Sequence, residues 1–219
     1  MLLSHLVSTE LTSNNLPTGF IWAGNGIFRS VTRQEFKAVV YHREVHTPGL
    51  PGLKQEFKLL VPPVPHTKVK AIIERIQQEP DLEQLFYLYW RGDWTPSTDA
   101  PPGGRSEASN PCGANPLGLC DRWEVLYPEQ ECTPSTCIAC DRFPEPAVIE
   151  IHSHGAARAF FSGTDDLEED GCRISTVIGK SNGQLEIVSR VCVHGLFLPI
   201  SSNLIYENIH LHCNHVFSF

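Results

Sequence analysis

Residues 147–166 read Ala-Val-Ile-Glu-Ile-His-Ser-His-Gly-Ala-Ala-Arg-Ala-Phe-Phe-Ser-Gly-Thr-Asp-Asp. The stretch opens as a strand, because Val148, Ile149 and Ile151 suit a pleated, half-buried surface and run directly into His152. Strand side chains alternate between faces, so His152 and His154 project to one side and Ser153 to the other. The chain must then turn back. Thr164 to Gly171 carries a capping hydroxyl, acidic first-turn residues and a terminal glycine, which predicts a short helix with Ser162 and Asp165 around its start. Two imidazoles and the Asp165 carboxylate can fill three positions of a tetrahedral zinc at roughly 2.0–2.2 Å each, leaving the fourth for water. That open position separates a catalytic site from a closed structural one, so the stretch predicts Zn2+ held by His152, His154 and Asp165.

Working outward, residues 19–22, 26–29, 36–41 and 57–61 are short strand-like pieces punctuated by Gly, Asn and Pro, a β-rich N-terminal portion over 1–61. Thr67 can cap a helix in which Val69, Ile72, Ile73 and Ile76 recur at helical spacing, and Pro80 stops it. Residues 83–90 form a dense apolar and aromatic run of strand length. From 91 to 115 Pro, Gly, Ser, Thr and Asp replace the large aliphatics, the composition of a loop that cannot bury enough surface to order itself. Strands are expected again at 123–127, 173–178 and 185–193, the last two joined through the hairpin signal Asn182-Gly183. This order predicts an α/β class with a mixed sheet and helices packed on it. The catalytic domain is expected over 62–200 with an insertion at 91–145, followed by a C-terminal tail at 201–219.

Hydrophobic residues make up 41% of the chain and charged ones 19%, ordinary globular usage, so wholesale disorder is not expected. The net charge of −8 and the lack of a basic block argue against a nucleic-acid partner. The N-terminus has no basic region ahead of its short apolar run, and no stretch reaches membrane-spanning length, so no membrane association and a cytoplasmic location are expected. In a reducing compartment the eight cysteines are thiols or metal ligands rather than disulfides.

The pattern His152-x-His154, seven residues, Ser162, two residues, Asp165 resembles the signature of the JAMM (MPN+) metalloproteases. LPTGFIWAGNGIFRS at 16–30, YLYWRGDW at 87–94, AFFSGTDD at 159–166 and TVIGK at 176–180 are similar to the PRTRC system protein A branch of that family. The resemblance implies a JAB/MPN-like mixed sheet flanked by helices, with a β-rich N-terminal extension and a Cys-rich insertion. It implies a zinc isopeptidase that processes a ubiquitin-like protein or its conjugates, alongside E1/E2-like proteins of the same system. Glu83 stands where the family carries its general base, with Glu74 and Glu79 as nearby alternatives, and Ser162 where it carries the serine that stabilises the oxyanion. Ser153 is expected to support the ligands rather than bind metal. Gly155 departs from the proline common after the second histidine, which puts the course of the 155–161 loop in question.

Cys137-x2-Cys140 has knuckle-type spacing, and Cys112, Cys120 and Cys132 could complete a structural zinc site. The irregular spacing equally allows free or redox-responsive thiols. Cys172, Cys192 and Cys213 read as buried small residues, and 209–215 as a terminal strand. Two rivals to the isopeptidase are a non-catalytic MPN-like scaffold in a plasmid-associated complex and a zinc hydrolase of a small amide.

Overall fold

The computed structural model describes residues 6–11, 17–92, 122–140 and 146–209. Its N-terminal sheet is an antiparallel meander in chain order: β1 (Leu6–Leu11), β2 (Pro17–Ala23), β3 (Gly26–Thr32), β4 (Phe36–Arg43) and β5 (Glu56–Leu59). On β4 the buried Phe36, Ala38 and Val40 alternate with the exposed Lys37 and Tyr41, so one face looks inward.

After α1 (His66–Gln78) come β6 (Leu85–Trp90), β7 (Trp123–Leu126), the small hairpin of β8 (Gln130–Thr133) and β9 (Thr136–Ala139), and β10 (Ile149–Ser153). Next are α2 (Gly163–Glu168), β11 (Cys172–Ser181), β12 (Gln184–Val193), β13 (Leu196–Ile200) and a 3-10 turn at Ser202–Leu204. A six-stranded sheet takes the order β13-β12-β11-β10-β6-β7, in which the β10–β11 pair is parallel and the other pairs antiparallel. The hairpin turn at Asn182-Gly183 carries positive φ at both residues, as the sequence predicted.

The expected helix-flanked α/β class is not what forms. The described residues hold three sheets and two α-helices, and strands dominate. Among the described residues the apolar helical repeat is that of α1, which buries Val69, Ile72 and Ile76. By contrast α2 spans six residues and buries none, so it covers no sheet face. Thr67 is not the cap either, since α1 starts at His66 after Pro65 with no side-chain cap bond.

One hydrophobic core joins both large sheets. Val31, Phe36, Ala38 and Val40 of the N-terminal sheet share it with α1, with Phe86 and Leu88 of β6, and with Ile149, Ile151, Ile174 and Val191 of the second sheet. Polar fastenings reinforce the junction. Arg33, buried in the β3–β4 turn and paired with Glu35, donates to the carbonyls of Ala147 and Cys172, and Trp123 Nε1 donates to the Pro62 carbonyl. Residues 201–209 belong to this core: Ile205, Tyr206 and Ile209 are buried, and Tyr206 bridges to Val64. Residues 210–215 of the expected terminal strand, with Cys213, lie outside the described residues.

Candidate metal centre

β10 is flanked by β11 and β6, so its backbone is paired on both edges and its end is a firm platform. Ile149 and Ile151 point into the core, which leaves Glu150, His152 and His154 on the opposite side. Glu150 is occupied by Arg173. The two imidazoles lie with ring centroids 5.1 Å apart.

Each histidine is held in a metal-ready state. The Nδ1 of His154 lies 3.0 Å from the Arg158 carbonyl, an acceptor, so that nitrogen is the donor of this bond and Nε2 is the ring atom left for a metal. The Nε2 of His152 is buried with no hydrogen-bond partner. Burial, with smaller contributions from His154 and Arg190, lowers His152 to about 4 against the opposing pull of Asp165. The His152 Nε2 stands 3.5 Å from the Asp165 Oδ1. Donors bound at ~2.0–2.2 Å to a tetrahedral zinc sit ~3.3–3.6 Å from one another, so this separation suits a shared ion. The donor atoms of His152, His154 and Asp165 all lie within 4.8 Å of one another, and no other such group of His, Cys, Asp or Glu occurs among the described residues.

Asp165 is aimed by a capping box. Its Oδ2 accepts the Ser162 N–H while the Asp165 N–H donates to the Ser162 Oγ at 3.2 Å, so Oδ1 is left to face His152. Without apolar anchors, α2 is fastened by Arg190 of β12. That guanidinium pairs with Asp166 and Glu169 and lies between the rings of Phe161 and Phe197, at 3.9 and 3.8 Å from their centroids. Asp166, one residue past the ligand, thus has a supporting task.

Glu83 lies between α1 and β6, where burial first and then the negative charge of Asp165 raise it to about 7. Its N–H donates to the Thr133 carbonyl, and its neighbour Gln84, wholly buried, donates from Nε2 to the Ile76 and Glu79 carbonyls at the end of α1. Ser153 faces this loop: its Oγ accepts the Gln84 N–H at 3.0 Å. It thereby ties the histidine strand to the Glu83 loop. The alternatives are engaged elsewhere, Glu74 with Lys70 and Glu79 with Arg75.

Gly155 adopts φ +53, which a proline ring fixed near −65° cannot reach, so the departure noted in the sequence gives this loop its own course. A Cβ there would sit 3.1 Å from the Pro80 carbonyl oxygen. The loop then crosses β11 at Gly179, where a Cβ would meet backbone atoms of residues 157–159 at 2.3–2.6 Å. Reasoning from the motif missed Gly179, Gln84 and Arg190; a glycine inside a β-branched strand was the one available signal, marking a close backbone approach.

Cys132 and Cys137 face each other across the β8–β9 hairpin, but Cys140 does not join them in a three-ligand group, and Cys112 and Cys120 lie outside the described residues. Cys172 and Cys192 are buried, as expected of small apolar side chains. No helix among the described residues is long and apolar enough to cross a membrane. No protein-family model, curated protein or solved structure matches the chain.

Proposed function

We propose that this centre binds one zinc ion through His152, His154 and Asp165 and hydrolyses a peptide or isopeptide bond. The observation that carries the reading is geometric: the buried His152 Nε2 makes no hydrogen bond, stands 3.5 Å from the Asp165 Oδ1, and belongs to a group of three donor atoms within 4.8 Å of one another. The donor chemistry fits zinc: two imidazoles and one carboxylate, with His154 Nδ1 bound to the Arg158 carbonyl and Asp165 Oδ2 to the Ser162 N–H. Zinc bound there supplies an acidified water and a polarised carbonyl.

The chain's own residues account for the proton traffic. Glu83, raised to about 7 in the metal-free protein, has the affinity suited to taking a proton near neutral pH and returning it to the leaving amine. Ser162 Oγ accepts from the Asp165 N–H, and that bond leaves its hydroxyl hydrogen to donate to the oxygen on which charge develops. The likeness of the motif to the JAMM metalloproteases supports an (iso)peptide substrate: the C-terminal tail of a ubiquitin-like protein, free or conjugated, with E1/E2-like proteins as functional partners.

Metal analysis and cleavage together test the reading. Wild type should hold one zinc per chain and Asp165→Ala none. Glu83→Ala should keep the zinc and lose cleavage of a ubiquitin-like fusion. Full activity in Glu83→Ala would remove the base assignment, and zinc retained by Asp165→Ala would remove the site.

A further inference from the structure

Cys132 and Cys137 stand directly opposite one another in the β8–β9 register, on either side of the two-residue Pro134-Ser135 turn, with their sulfurs 2.9 Å apart. Both are half-buried thiols. The Cys137 S–H donates to the Gln130 Oε1 at 2.6 Å, and the same Gln130 oxygen accepts the Leu85 N–H at 2.8 Å while its Nε2 donates to the Leu85 carbonyl. Gln130 therefore acts as a substitute strand for the first residue of β6. One turn of hairpin further, the Thr133 carbonyl accepts the Glu83 N–H at 2.9 Å. The thiol pair is thus wired to both sides of the segment that carries Glu83, a segment that also borders the histidine strand, since Leu85 is the register partner of His152 and Gln84 bonds Ser153.

We propose that Cys132 and Cys137 are a reversible disulfide site whose oxidation displaces the Glu83 segment. The co-reactant is a low-molecular-weight disulfide of the glutathione type. The Cys132 thiolate, its proton given to solvent, attacks one sulfur of that disulfide and expels one thiolate, which takes up a proton. The Cys137 sulfur, giving up its proton in turn, then attacks the Cys132 sulfur and expels the second thiol. One small disulfide is reduced to two thiols and the protein dithiol is oxidised, so electrons and protons balance. The sulfurs need approach by less than ~1 Å to reach the ~2.05 Å bond. Oxidation removes the S–H that Gln130 accepts, and it draws Cys137 toward Cys132, so the surrogate pairing of Gln130 with Leu85 loosens.

Bond formation stands independently of the proposed function; the effect on turnover rests on it. The full chain is equilibrated with glutathione disulfide, and the tryptic peptides and the backbone amide resonances of Glu83 and Leu85 are followed. The expected result is a Cys132–Cys137 cross-linked species lighter by two hydrogens, displaced Glu83 and Leu85 resonances, and full reversal by dithiothreitol. Cys137→Ser, which keeps a hydroxyl donor for Gln130, should show none of these changes. On a cleavable fusion the oxidised form should turn over about 10–100-fold more slowly, the penalty expected of a ~1 Å misplacement of a catalytic group. Mixed glutathione adducts without the internal bond, or a cross-link that leaves the two resonances where they were, would overturn the inference. Cross-linking with displaced resonances but no cleavage in either redox state would instead overturn the function proposed above and leave this inference standing.

Discussion

Replacing Gly179 with alanine puts a methyl group into the main chain of the loop that follows His154. Ordinary carbon contacts lie near ~3.5 Å, whereas the new Cβ would stand 2.3 Å from the Ala159 nitrogen, 2.4 Å from the Arg158 carbonyl carbon and 2.6 Å from the Ala157 oxygen. No side-chain rotation relieves a clash with backbone, so the loop must withdraw by about 1 Å to restore that spacing. The Arg158 carbonyl would then lie about 4 Å from His154 Nδ1 instead of 3.0 Å, beyond hydrogen-bonding reach. Losing the partner that orients a ligand histidine typically costs 10–100-fold in metal affinity, about 1.4–2.7 kcal/mol. Zinc affinity measured by competition with a chromophoric chelator should fall by that factor in Gly179→Ala, with thermal melting recorded alongside to show that the fold persists. Gly163→Ala is the control, because nothing lies within 4 Å of a Cβ there. Arg158→Ala should also bind normally, since the contact is made by its carbonyl. Unchanged zinc affinity in Gly179→Ala would refute the claim that this loop orients His154.

Three further perturbations separate the supports of the site. In the metal-free protein Glu83 is raised from 4.5 to about 7, so the folded state holds a proton that the unfolded chain releases, and stability should fall as pH rises through that window. His152, lowered from 6.5 to about 4, acts oppositely: the unfolded chain takes up its proton first, and stability should fall as pH drops from 6.5 to 4. Urea denaturation in the presence of chelator should show the first decline disappear in Glu83→Gln while the second remains. Ser153→Ala leaves the buried Gln84 N–H without its acceptor and should cost about 1–3 kcal/mol in the same assay with little change in zinc affinity. Arg190→Met strips a buried Glu169 of its cation and should cost about 3–5 kcal/mol, part of which Glu169→Gln in the same chain should restore; no recovery would mean that the arginine acts through Asp166, Phe161 and Phe197.

The site was more legible than the fold because its information is local. The period of two across 151–154 places both histidines on one face, whereas the cap of the next helix falls not on Thr164, as its hydroxyl suggested, but on Ser162, which boxes with Asp165. The longer strands and the single long helix also follow from apolar runs and their punctuation, but β1, β8, β9 and β13 escape that reading. Fold class failed where short helical signals were weighed as layers. Thr164 to Gly171 has the chemistry of a helix start and stop, yet it offers only Leu167 as a large apolar side chain, and that residue is 87% exposed. A helix that buries nothing cannot flank a sheet. Conversely, the alternation of Phe36, Ala38 and Val40 shows that the N-terminal strands have an inward face but not that this face meets α1 and β12, since that pairing arises from packing between segments far apart in sequence.

The glycines carry the part of the site that a motif cannot express. Gly155 was visible as a departure from a pattern, and its φ of +53 now gives the departure a cause: the chain must turn left-handed to bring the following loop against the Pro80 carbonyl and the Glu83 segment. Proline at this position would force another route to residue 158. Gly179 sits on a different strand and matches no ligand spacing, but without its bare backbone the same loop could not approach closely enough for the Lys180 N–H to bond the Ala157 carbonyl at 2.7 Å. The orientation of His154 is therefore set by two residues without side chains, one directing the loop and the other admitting it. Because they act on one loop, their substitutions should not be additive. Gly155→Ala together with Gly179→Ala should weaken zinc binding by less than the product of the two single effects, since a loop already displaced has no further hydrogen bond to His154 to lose. Fully multiplicative effects would mean that Gly155 and Gly179 reach the metal through separate routes.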